Sequence, residues 1–342
     1  MKKGIKRFLA NRMVKRHRSR DLPVEELEKK HRQPDIEGFN DSSYFAGWQK
    51  DGLSFVTRLA FRTGKHNENW LKIHIPGEGV WGFEDRPMEE GEGLRQGPLA
   101  YVCQEPGNRW SIEYKGPVFQ GNNEEELLLE LSWEKLGPVI DFDKSGTMYK
   151  NTALQIAGQP WNKEFFRKLR ELQKVHYEQA GRITGRILWK GQELPFNGQG
   201  IRDHSFGKRS WDGWERHIWF LGVLEDGRYF NNSVIDFDFI PNLKAGYFGD
   251  ATTITTVASL PDLSEILPQE PLPTEVEYTL RLRPGEAEKR MKVRMKAFFP
   301  FTMDGVYHIR QALADFSLDG VPGMGIAEMG INLKTHDLPI SY

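Results

Sequence analysis

Apolar and polar residues alternate along much of the chain. Over residues 53–61, Leu53, Phe55, Thr57, Leu59 and Phe61 share one face, the period of a half-buried strand. Residues 70–75 continue the pattern, and Pro76-Gly77 ends it. Residues 99–103, 109–115 and 126–133 are further strand candidates; the run Leu127-Leu128-Leu129 leaves the last one open to a short helix. Strand patterning also marks 183–189, which turns at Lys190-Gly191 into 192–201. Segments 216–224 and 228–237 flank Asp226-Gly227, a strong hairpin signal. Gly249-Asp250 and Pro284-Gly285 mark further turns, the second between 276–282 and 291–298, and 307–316 is the last long strand. Long strands joined by short turns predict antiparallel meanders, hence a barrel or sandwich in both halves.

The period changes to that of a helix over 162–173. Phe165, Phe166, Leu169 and Leu172 fall on one stripe, and Asn162 is placed to cap it. A domain boundary is expected there. The chain then divides into an arm and linker (1–41), a first β domain (42–161) and a second (162–342) that begins with the helix. In the arm, Ile5, Phe8, Leu9 and Met13 recur at helical spacing. Pro23 and the acids Glu25, Glu26 and Glu28 indicate a second short helix followed by a linker.

Charge sharpens this picture. The net charge is −1, but Lys2, Lys3, Lys6, Arg7, Arg12, Lys15, Arg16, Arg18 and Arg20 sit together with no acid among residues 1–20. The rest of the chain is therefore acidic, which argues against a broad nucleic-acid-binding face. The arm reads in two ways: a tail whose apolar residues dock on the body, or a basic amphipathic helix on an anionic membrane surface. Cys103 is the single cysteine, so no intrachain disulfide forms. That fits a reducing, cytoplasmic compartment. No apolar run approaches the eighteen or so residues of a membrane span, and the basic N-terminus lacks the apolar stretch of a signal peptide.

Candidate chemistry concentrates in His176-Tyr177-Glu178-Gln179 and Arg202-Asp203-His204-Ser205-Phe206-Gly207. A hairpin turning at Lys190-Gly191 sets Glu178 opposite Asp203 and Tyr177 opposite His204. Adjacent carboxylates hold one proton tightly, as a proton donor at neutral pH requires. The same residues also suit ion pairs with Arg182 and Arg202 at a barrel rim. Trp211, Trp214 and Trp219 follow closely; such rings line apolar sites, stabilise a cation, or fill a core. The spacings of zinc sites, phosphate-binding loops, dinucleotide folds and the Gly-x-Ser-x-Gly elbow are absent, so neither a metal site nor a cofactor is implied.

Three stretches carry a resemblance: 176–185, Gly198-Gln199-Gly200 leading into 201–209, and Gly320-Val321-Pro322-Gly323-Met324-Gly325-Ile326-Ala327-Glu328. Together they resemble the AttH-like domain of the lipocalin-like superfamily. That superfamily includes carotenoid 1,2-hydratase, fungal Diels–Alderases, the yeast survival factor, and bacterial proteins with the same Arg-Asp-His-Ser-aromatic-Gly motif. The resemblance implies a mostly β fold of two consecutive antiparallel lipocalin-like (calycin) barrels with a short helix at the junction. It also implies an apolar, terpenoid- or lipid-like ligand. His204 matches the hydratase's histidine, and Phe206 stands where the hydratase has Trp. Two functions follow as expectations. One is an enzyme of hydratase, isomerase or cyclase type, with Asp203 or Glu178 donating the proton, His204 relaying it, and Tyr177, Phe206, Trp211, Trp214 and Trp219 contacting substrate. The other is a non-catalytic carrier or chaperone for a hydrophobic ligand.

Overall fold

The alternating segments fold as strands. In chain order the first group is β1 (Phe39–Trp48), β2 (Ser54–Arg62), β3 (Glu68–Ile75), β4 (Gly79–Asp85), β5 (Arg95–Gln96), β6 (Leu99–Glu105), β7 (Arg109–Gln120), β8 (Asn123–Lys135), β9 (Ile140–Asp141), β10 (Lys174–Trp189) and β11 (Gln192–Lys208). The second is β12 (Trp214–Leu224), β13 (Tyr229–Phe237), β14 (Ile240–Gly249), β15 (Ile254–Thr256), β16 (Glu275–Leu280), β17 (Lys289–Phe298), β18 (Phe301–Met303), β19 (Tyr307–Leu318) and β20 (Val321–Asn332). Among the described residues five helices accompany them: α1 (Lys3–Arg16), α2 (Val24–Leu27), α3 (Met148–Gly158), α4 (Lys163–Glu171) and α5 (Leu263–Ile266). This computed structural model describes residues 3–16, 22–142, 148–171, 174–267 and 272–336.

Two curled antiparallel sheets result, as expected of a double calycin-like fold. The first runs β4-β3-β2-β1-β11-β10-β8-β7-β6-β5, with β9 on β10, and a pairing of β4 with β7 through Gly82 and Phe119 brings the sheet back on itself. The second runs β15-β14-β13-β12-β20-β19-β17-β16, with β18 on β19. Inside the first lie Phe45, Phe55, Leu71, Trp110, Leu129 and Ile183. Inside the second lie Ile218, Phe220, Phe230, Met291, Phe316 and Met329. The triple-leucine run is a strand. Leu127, Leu129 and Leu131 are buried in the first core, and pairing with β7 and β10 on both sides overrides their helix propensity. Gly181 lies against the Trp133 indole, which a Cβ there would overlap.

The expected domain boundary is corrected. The hairpin of β10 and β11 pairs with β8 and β1, inside the first sheet. One compact unit is therefore Arg20–Asp141 with Lys174–Arg209; the other is Met1–Ser19, Phe142–Gln173 and Ser210–Tyr342. The switch to helical spacing marks an excursion out of the first unit and back, because sequence periodicity reports local conformation and not which strand a returning hairpin will meet. Within that excursion α4 forms as expected, with the Phe165 amide donating to Asn162 Oδ1 at 2.8 Å. Such a cap contributes about 1 kcal/mol. Leu172 and Gln173 lie outside the described residues.

The arm and the short helix after Pro23 form as their spacing predicts, as α1 and α2, but the linker differs from expectation. Ala10 of α1 packs with Ala153, Ile156 and Phe165, and Lys6 Nζ donates to Gln159 O at 2.8 Å. Ile5 and Phe8 face outward, 51% and 64% exposed. The supposed linker is a strap packed on the first unit, and its Leu27 and Glu28 are buried. Among the described residues no helix is long and apolar enough to cross a membrane.

Candidate functional site

The hairpin register is as the turn dictates: Glu178 is opposite Asp203, and Tyr177 is opposite His204. Side chains alternate between faces along each strand, so this one register builds two clusters. Tyr177, Arg202 and His204 point into the barrel, along the row that includes Phe196 of the core. His176, Glu178 and Asp203 point away from it. The expected convergence of Glu178, Asp203 and His204 is therefore corrected: Asp203 and His204 stand on opposite faces.

On the face turned away from the barrel, the His176 imidazole is hydrogen-bonded to Asp203, and its Nε2 lies 3.6 Å from Glu178 Oε1. The side chains of His176 and Asp203 are 23% and 12% exposed, while Glu178 is fully buried. Tyr44 and Arg58 continue the same cross-strand row from Asp203. Burial, and then the charge of Arg58, push the Arg209 guanidinium down to about 10; the neighbouring Asp203 opposes that shift. Arg209 also donates to Ser205 Oγ at 2.7 Å. Each of His176, Glu178 and Asp203 brings a donor atom within 4.8 Å of the others, the one such group among the described residues. One imidazole and two carboxylates form a set that suits a borderline divalent cation, though the Arg209 charge beside Asp203 opposes one.

Inside the barrel, His204 is saturated. Its Nδ1 lies 2.8 Å from Tyr177 Oη and its Nε2 lies 2.5 Å from Asp41 Oδ1. The strap closes over this pair. Tyr177 Oη donates to Leu27 O at 2.8 Å, and the His31 amide donates to Asp41. Arg202 donates to Glu28 through both terminal nitrogens, at 2.5 and 2.7 Å. Its guanidinium is flanked by Trp133, Tyr177 and Trp110, with ring centres 5.1, 5.4 and 5.5 Å away. The His31 ring stacks on Phe206 at 3.6 Å. Burial lowers the His31 pKa against the pull of Asp41. It also raises Tyr177 well above the usual phenol value.

A family model described as a domain of unknown function, DUF7064, matches residues 25–333. The chain belongs to that family. Among curated proteins, no sequence matches this DUF7064 chain. Solved structures share its fold. An AttH of Nitrosomonas europaea superposes with a TM-score of 0.58 at 13% identity, over 92% of this chain and 97% of that one. CghA bound to Sch210972 gives 0.53 at 9%, over 86% and 88%. Kievitone hydratase from Nectria haematococca gives 0.51 at 8%, over 92% and 96%. At these identities the likeness establishes the AttH-like double-calycin fold.

Tyr177 and Phe206, expected at the substrate, lie with His204 inside the barrel of the DUF7064 chain. Trp211 and Trp214 belong to the other unit, where they pack with Phe237, Met303 and Tyr307. Trp219 lies in the same unit, on β12 opposite Glu328. Sequence reasoning missed Asp41, Glu28 and His31. Asp41 is 163 positions from its imidazole partner, and nothing in its local pattern announces that contact. His176 belongs to the motif, but it was not among the residues expected at the site.

Proposed function

We propose that this chain is a hydratase-type enzyme acting on a long, apolar, unsaturated molecule of terpenoid or lipid character. Its acid–base group in this reading is the Glu178–Asp203–His176 cluster. The observation that carries the proposal is the pairing of two carboxylates in register beside one imidazole, with Asp203 and His176 partly open. The kievitone hydratase among the fold neighbours supports the reaction type at the level of fold alone.

The chemistry uses only the chain's own side chains. The negative charge of one carboxylate favours a proton on the other, and His176 holds the acidic group in place. That carboxylic acid gives its proton to one carbon of the double bond, leaving a cation on the other carbon. Water adds to the cation, and its surplus proton returns to the carboxylate. One C=C and one water become one alcohol, and the group is restored. His204 has a structural role here, since both of its ring nitrogens are engaged inside the barrel.

A second observation supports contact with an anionic membrane surface, where such a substrate resides. The outward side of α1 combines Ile5 and Phe8 with exposed Lys3, Arg7 and Arg12.

The experiment is incubation of the full chain with a panel of unsaturated isoprenoids and fatty acids in 18O-labelled water. A product carrying one labelled oxygen is expected. Ligand retention without product establishes the carrier function instead, and neither binding nor product rejects the ligand class.

A further inference from the structure

A second acid–base constellation stands in the other unit, built from residues with no part in the reaction above. β12, β20 and β19 are adjacent strands. His217 Nε2 lies 2.7 Å from Glu328 Oε1, and His217 Nδ1 lies 2.7 Å from Tyr307 Oη. Gln311 Nε2 donates to Glu328 Oε2 at 2.6 Å. Gly330 makes this possible, since a Cβ there would overlap both the His217 and Tyr307 rings. Aromatic rings enclose the group. Tyr307 stacks on His217 with centroids 5.6 Å apart, Trp211 stacks on Tyr307 at 5.3 Å, and Trp214 meets His217 edge-on at 5.7 Å.

The hydrogen-bond inventory is unbalanced. Both His217 nitrogens are used, and both Glu328 oxygens have a partner. Gln311 Oε1 has none, although the residue is only 1% exposed. A buried amide oxygen without a donor is costly, and such atoms are normally met by water or ligand. The neighbouring Glu328 carboxylate is a further acceptor and is 12% exposed. An orphan acceptor beside a carboxylate calls for an O–H donor. Another acceptor, such as an ether or ester oxygen, would be repelled. Trp211, Trp214 and Tyr307, which surround the His217 partner of Glu328, make the neighbourhood of this acceptor pair largely aromatic.

We infer that Gln311 and Glu328 form a binding site for the hydroxyl group of an otherwise apolar ligand, with the hydroxyl donating to this acceptor pair. The inference holds whether or not Glu178 and Asp203 are catalytic.

The test is a matched pair of probes, farnesol and farnesyl methyl ether, which differ in having or lacking the O–H. Isothermal titration of the full chain is expected to show the alcohol bound roughly tenfold more tightly. Gln311→Met, of similar length and without the amide, should erase most of that preference while circular dichroism shows an unchanged fold. Equal binding of the two probes, binding of neither, or an undiminished preference in a folded Gln311→Met protein overturns the inference. Should Gln311→Met fail to fold, a high-resolution crystal structure of the unaltered protein with farnesol decides. The ligand oxygen should lie within hydrogen-bonding distance of Gln311 Oε1; a protein donor on that atom instead refutes the site.

Discussion

Asp203 and His204 are consecutive in sequence and face opposite sides of one sheet: Asp203 bonds His176 on the face away from the barrel, and His204 bonds Asp41 inside it. The motif that joins them on paper therefore serves two separate clusters. Substitutions at the two positions should have different consequences.

Asp203→Asn keeps the shape of the side chain and removes the acidic proton. Turnover in the labelled-water assay should fall at least 100-fold, within the usual range for a general acid, and ligand affinity should stay within a factor of about three. Glu178→Gln should behave alike, since either carboxyl needs the other's charge. A folded Asp203→Asn protein with full turnover excludes the cluster from the chemistry.

Asp41→Ala leaves His204 buried without its carboxylate and the His31 amide without its acceptor. Breaking a buried pair this way costs about 3–5 kcal/mol, so a drop of about 10 °C in Tm is expected. Activity per folded molecule should persist. Loss of turnover without loss of stability would instead place the proton relay inside the barrel.

Stability should decline on both sides of a plateau. His31 has a lowered pKa in the fold, so as pH falls below about 6.5 the unfolded chain takes up the proton first and stability is lost. The Cys103 thiol is pushed up to about 11 by burial and then by the Glu28 charge. Above about pH 8.5 the unfolded chain releases that proton first, and stability falls again as pH rises. The protection factors of the Leu27–His31 amides, taken relative to the intrinsic exchange rate at each pH, should fall between pH 7.5 and 5.5, and His31→Phe, which keeps the stack on Phe206, should remove most of that dependence. Alkylation of Cys103 at pH 8 should run on the order of 100-fold slower than that of a free thiol.

If α1 meets membranes through Ile5 and Phe8, the protein should sediment with vesicles of phosphatidylcholine and phosphatidylglycerol and not with phosphatidylcholine alone. Salt at 0.5 M should weaken the binding, since charge attraction is screened within a few ångströms. Ile5→Glu with Phe8→Glu should abolish it, leaving the Ala10 side of the helix packed. Equal pelleting of that double variant and the unaltered protein contradicts the assignment.

What the sequence determined by itself was set by local rules. Period-two alternation marked the strands, Asp226-Gly227 and Lys190-Gly191 marked hairpins, and Asn162 with its apolar stripe marked α4, because each of these follows from a few neighbouring residues. The register of β10 on β11 followed too, since a two-residue turn fixes every pair along the hairpin. The tertiary structure decided the rest. It inserted that hairpin between β1 and β8, so the boundary expected at 162 dissolved. It carried Asp41, Glu28 and His31 to the inner cluster from a segment that reads as linker. It also gave Trp211 and Trp214 to the other unit, beside His217. Those contacts join residues far apart in the chain, and the burial that rewards them is created only when the sheets curl. The face alternation that separates Asp203 from His204 was implicit in the strand pattern all along, but only the closed barrel showed which face was inside.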